Sequence, residues 1–219
     1  MDKIRLRFKK TGRAVYISHL DLMHTLQRGF SRAGYALKYS EGFNPHPQIS
    51  IALPLSVGAS SLCEIMDFRL KEDAELSDMA ENLSRVMPEG IEMIEAYEPS
   101  RKVSEIKWLR VEGIMEYDER DMAEMCAGLE KFFANDEIVI MKKTKRGVGE
   151  TDIKPAISSV DFMVSDDGVK VSALISAQEP TLNPELLVDA LRQKEPRLCP
   201  DFAKFTRIET YDAAGKVFR

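Results

Sequence analysis

The segment Tyr39-Ser-Glu-Gly-Phe-Asn-Pro-His-Pro47 gathers side chains that can do chemistry. Pro45 and Pro47 hold His46 in extended backbone, and Gly42 lets the chain turn through a positive φ. Phe43 offers an aromatic face for stacking and Asn44 an amide that both donates and accepts. A rigid loop presenting His, Asn and Phe reads as a binding element; the competing reading is a tight crossover whose Phe43 plugs the core. His46 and His19 are also the weak candidates for a general acid–base. His19 and His24 lie five apart, about 140° around a helix, so they are not the i,i+4 pair of a zinc site. A metal between His19, His46 and Asp67 is conceivable, but the expectation is that no metal and no cofactor is held. G-x-S-x-G, Walker A and dinucleotide glycine motifs are absent from the sequence.

Cations form the second group. Residues 1–40 hold nine basic and two acidic residues, a net +7, which leaves −12 on the remaining 179 of a total of −5. The total excludes a generally polybasic nucleic-acid binder, and the distribution allows a localised RNA site with no DNA expected. Lys3, Arg5, Arg7 and Lys9 share one face of an alternating stretch whose other face carries Ile4, Leu6 and Phe8. Arg5, Arg7 and Lys9 are therefore candidate binding residues, unless Glu64, Asp67, Glu92 or Glu95 on neighbouring strands pair with them. His24, Arg28 and Arg32 recur every four residues and share a helix face, either a binding surface or a solvated one. Lys145 and Arg146, beside Gly147-Val-Gly149, could cradle a phosphate.

These residues need a scaffold. The alternation over 3–10 predicts a strand, and Ser18-His-Leu-Asp21 starts a helix with a capping-box pattern that Gly34 ends. Strands are expected at 36–39, 48–53, 62–70 and 91–97, with a helix over 75–87 that Pro88 stops. The order recurs: strand 106–116, helix 119–133, strands 137–142, 159–164 and 169–176, helix 184–194, strand 203–210. Asp166-Asp167-Gly168 marks a hairpin, and 144–155 reads as a basic glycine-containing loop. The fold class is α+β, two tandem ferredoxin-like (βαββαβ-type) halves, each with an extra short strand. The halves span 1–100 and 104–219, with a linker near 99–105.

Cys63, Cys126 and Cys199 lie more than sixty positions apart, which excludes zinc ribbons and CxxC redox sites and suits reduced thiols in the cytoplasm. No apolar run approaches the roughly 18 residues of a membrane span, so no membrane partner is expected.

Ile17-Ser-His-Leu-Asp-Leu-Met23, Arg32-Ala-Gly34, the Tyr39–Ser50 segment and Leu53-Pro-Leu-Ser-Val-Gly58 together resemble the radical-SAM-associated (radical-SAM-linked) bacterial proteins, a domain family of unknown function. The resemblance is specific over 3–70 and looser beyond. It implies a radical S-adenosylmethionine enzyme as partner, which would own the cluster and the radical chemistry. It also implies an arginine where this chain has His24, a cationic or polar role. The expected function is a non-catalytic accessory or substrate-presenting protein that binds RNA through a localised basic face. Two alternatives stand beside it: a small-molecule or peptide binder using the 41–47 loop, and a metal-independent endoribonuclease.

Overall fold

A computed structural model describes residues 3–144 and 147–219. The fold is mixed α+β, and the chain divides into two compact units, residues 1–105 with Arg219, and residues 106–218.

The first unit contains β1 (Ile4–Lys10), α1 (His19–Arg32), β2 (Ile49–Ala52), β3 (Ser60–Phe68), α2 (Met79–Ser84) and β4 (Ile91–Tyr97). Its strands run in the order β4-β1-β3-β2, every pairing antiparallel. Alternation in β1 sends Ile4, Leu6 and Phe8 into a core with Leu22, Leu26 and Phe30 of α1 and Met79 and Leu83 of α2. Phe30 meets Phe68 of β3 at 4.6 Å between ring centroids. Both helices thus cover one sheet face, and the intervening residues Arg5, Arg7 and Lys9 belong to the other. Ser18 caps α1 as expected: its Oγ accepts from the Asp21 N–H at 3.1 Å and donates to the Asp21 carboxylate at 2.7 Å. Gly90 enters β4 at φ +88°, and its carbonyl accepts from the Thr11 N–H at 2.8 Å.

The second unit contains β5 (Trp108–Glu116), α3 (Met122–Phe133), β6 (Val139–Thr144), β7 (Gly147–Asp152), β8 (Ile157–Ser165), β9 (Gly168–Ser176), α4 (Glu185–Lys194) and β10 (Phe202–Tyr211). Its main sheet runs β10-β5-β9-β8, again antiparallel. With the β6–β7 ribbon set aside, its element order and strand order repeat those of the first unit. Val111, Met115, Val169, Val171 and Phe205 are buried with Leu129, Phe133, Leu187 and Leu191 of the helices. The ribbon is held to α4 by the Gln193 side chain, whose Oε1 accepts from the Met141 N–H at 2.7 Å and whose Nε2 donates to the Met141 carbonyl at 3.1 Å.

Three sequence expectations change. Residues 36–39 form isolated bridges, Leu37 with Leu70 and Tyr39 with Pro47, instead of a strand. Half of the expected loop 144–155 is strand β7, paired to β6 from Val139↔Asp152 to Thr144↔Gly147. The 75–87 helix shortens to Met79–Ser84, because Met79, Val86 and Met87 donate to the residue three back and so tighten both ends.

Candidate ligand-binding groove

The 39–47 loop is closed on itself. The Ser40 N–H donates to the His46 carbonyl at 2.8 Å, and the His46 N–H donates to Ser40 Oγ at 3.1 Å. The same hydroxyl lies 2.9 Å from His46 Nδ1. Ser40 therefore occupies one imidazole nitrogen, and Nε2 has no hydrogen bond among the described residues. Gln48 ties the loop base down, its N–H to the Lys38 carbonyl at 2.7 Å and its Nε2 to the Tyr39 carbonyl at 3.3 Å. Gly42 turns at φ +119° with open space around it. Phe43 is fully exposed, and Asn44 is exposed beside it. Phe43 therefore does not plug the core, which sets aside the tight-crossover reading of this loop.

His46 lines a groove of about 1010 Å³ in the first unit. One wall is the continuous run from His46 to Leu53, the loop end and all of β2. Asp67, Phe68 and Arg69 from the end of β3 and Lys3 beside β1 contribute next, and residues 98–104 form the opposite wall. That last segment is shaped by Glu105, which accepts from the Lys102 N–H at 2.7 Å and from Arg101 Nε at 3.2 Å. These bonds, the backbone one first, hold the Glu105 carboxyl below its usual range. The lining carries four cations, Lys3, Arg69, Arg101 and Lys102, and two carboxylates, Asp67 and Glu98; Lys3 pairs with Asp67 at 3.7 Å and Arg101 with Glu105 at 3.2 Å, while Arg69 and Lys102 form no ion pair among the described residues.

The β1 row has a different fate. Arg5 sits opposite Asp67 in the ladder and grips it with two bonds, Nε to Oδ1 at 2.7 Å and Nη2 to Oδ2 at 3.0 Å. Its side chain is 1 % exposed. Arg7, also buried, reaches Glu95 at 3.1 Å, and Lys9 reaches both oxygens of Glu92 at 3.1 Å. Each carboxylate lies directly across the ladder from its cation. The pairing anticipated as the alternative is what the strands adopt, so these charges are already neutralised.

On α1, His19 is half-buried at the capped start, and His24, Arg28 and Arg32 are exposed along one stripe. Arg32 donates to the Val86 carbonyl at 2.8 Å. None of the four lines the groove. Lys145 and Arg146 lie outside the described residues. His46 and Asp67 share the groove without His19, and among the described residues no three His, Cys, Asp or Glu side chains converge as a metal site requires. No helix among them is long and apolar enough to cross a membrane.

Sequence reasoning missed the wall at 98–104, which reads there as a linker. The cationic pair Arg101-Lys102 just after Pro99 was the available signal.

A family model described as "Uncharacterized protein conserved in bacteria (DUF2344)" matches residues 3–184, all of the groove included. The chain belongs to this family. No curated protein matches the chain. Twenty chains of solved structures do match, among them one titled "Crystal Structure of an Unknown Protein from Galdieria sulphuraria". That likeness covers 94% of this chain and 98% of the other at 8% identity, with a TM-score of 0.28, and carries no argument.

Proposed function

We propose that this member of the family is a non-catalytic cytoplasmic accessory protein that holds single-stranded RNA in the groove beside the 39–47 loop and presents it to a partner enzyme. One observation carries the reading: a hydrogen-bonded loop offers a fully exposed Phe43, and its His46 opens onto a groove whose lining includes Arg69 and Lys102, cations without an ion pair among the described residues. Single-stranded RNA is recognised by that combination, bases stacked on aromatic faces and phosphates met by Lys and Arg. The motif resemblance supplies the partner class, a radical S-adenosylmethionine enzyme. Tandem ferredoxin-like halves are part of the same proposal, supported by the β4-β1-β3-β2 and β10-β5-β9-β8 orders. Such an architecture leaves one sheet face of each half open for ligands.

The test is fluorescence anisotropy with a labelled single-stranded RNA at low salt. Arg69→Glu combined with Lys102→Glu should abolish groove binding and flatten its salt dependence. Phe43→Ala should weaken it by about tenfold, the loss of one stacked base at the lower half of its range. Groove affinity indifferent to both changes, in folded variants, overturns the reading.

A further inference from the structure

The second unit carries its own open sheet face, and its residues are arranged in rows. Register places Lys204, Ile114, Lys170 and Met163 side by side across β10, β5, β9 and β8. The next row is Thr206, Glu112, Ser172 and Asp161. Both rows line one concavity of about 680 Å³. Asp161 and Ser172 also line an adjoining hollow of about 300 Å³ with Arg110 and Tyr211, so the two form a continuous trough.

Two features make this more than a solvated sheet. Lys170 and Lys204 are exposed, stand two strands or about 10 Å apart, and flank the apolar Ile114. Neither ammonium forms an ion pair among the described residues, although Glu112 and Asp161 are one row away. Glu112 instead pairs with Arg110 at 3.1 Å. Met163 beside them is 61% exposed. Apolar Ile114 between two cations without an ion pair, next to a row of two hydroxyls and two carboxylates of which Glu112 is taken by Arg110, offers a nucleotide a partner for each of its groups. In that arrangement the base lies on Ile114, the phosphates meet Lys170 and Lys204 on either side, and Asp161, Ser172 and Thr206 accept from ribose hydroxyls or base amino groups.

We infer that the open face of the second unit is a second binding site for single-stranded RNA, engaging about two phosphates. The inference extends the RNA reading of the groove, and its residues are entirely separate from the groove's.

The experiment titrates the full chain with a labelled octauridylate from about 50 mM to 200 mM salt and maps ultraviolet crosslinks by mass spectrometry. The expected result is two RNA molecules per chain, with crosslinks in both β2 and β5–β9. Lys170→Glu with Lys204→Glu should remove the second equivalent or lower the slope of log K against log salt at that site by about 1.4, about sevenfold in affinity over that salt range. Ile114→Asp should remove the β5 crosslinks while circular dichroism stays unchanged. One equivalent with crosslinks confined to the groove overturns the inference and leaves the groove reading standing. Crosslinks confined to the second unit do the reverse, and no binding at low salt overturns both.

Discussion

Three rungs of the β1 ladder give a graded test of which charges are structural. Arg5–Asp67, Arg7–Glu95 and Lys9–Glu92 place carboxylates that are 12%, 43% and 62% exposed against cations that are 1%, 8% and 35% exposed. Asp67→Asn leaves the buried Arg5 guanidinium without its doubly bonded anion. Removing one member of a buried pair costs 3–5 kcal/mol, and the reach of solvent and Lys3 to Asp67 puts the expected loss at about 3 kcal/mol. Glu92→Gln at the exposed rung should lose less than about 0.5 kcal/mol, with Glu95→Gln between them at about 1 kcal/mol. Urea unfolding followed by circular dichroism measures each loss, with the same slope against urea required of all three. Replacing the first pair with Arg5→Met and Asp67→Leu should recover most of it, since apolar residues of similar volume tolerate that environment. Equal losses at the three rungs would refute the reasoning. So would an Asp67→Asn loss below about 1 kcal/mol accompanied by a drop in RNA affinity, because Arg5 would then serve the ligand and not the sheet.

Two further outcomes follow from local geometry. Burial pushes the Tyr117 hydroxyl, which donates to the Leu198 carbonyl at 2.9 Å, up to about 12. The stability it contributes is intact below its unfolded value of about 10 and is lost as pH rises through about 12; Tyr117→Phe should delete the last phenolate step in an absorbance titration of the six tyrosines. Gly90→Ala would place a Cβ 2.3 Å from the Thr11 carbonyl oxygen at φ +88°, so thermal unfolding should show a loss of about 2–4 kcal/mol.

Elements whose signals are local were legible in the sequence. Ser18 and Asp21 announced α1, alternation announced β1, and Asp166-Asp167-Gly168 announced the β8–β9 turn that the structure contains. Strand β7 was not legible, because Gly147-Val-Gly-Glu-Thr-Asp152 is rich in residues that strands disfavour and owes its conformation to pairing with β6. Residues 36–39 show the opposite error: suitable residue types that find only single bridges. The candidate site was half visible. His46, Phe43 and Asn44 stood out by type, while the groove's cations, Lys3, Arg69, Arg101 and Lys102, come from three separated stretches that only the fold assembles. Arg5 and Arg7 were correctly placed on one face, and the sequence left open whether carboxylates would claim them, since ladder register decides that.

The bond pair between Gln193 and Met141 has a consequence for life in a crowded cell. A two-stranded ribbon exposes rows of backbone donors and acceptors that invite a foreign strand. By bonding both the N–H and the carbonyl of Met141, the Gln193 amide acts as a one-residue decoy strand, filling the place where a neighbour's backbone would dock. The helix that carries it thereby covers the ribbon's backbone at Met141, and Gln193→Ala should raise aggregation, read by light scattering, at a temperature where circular dichroism is unchanged.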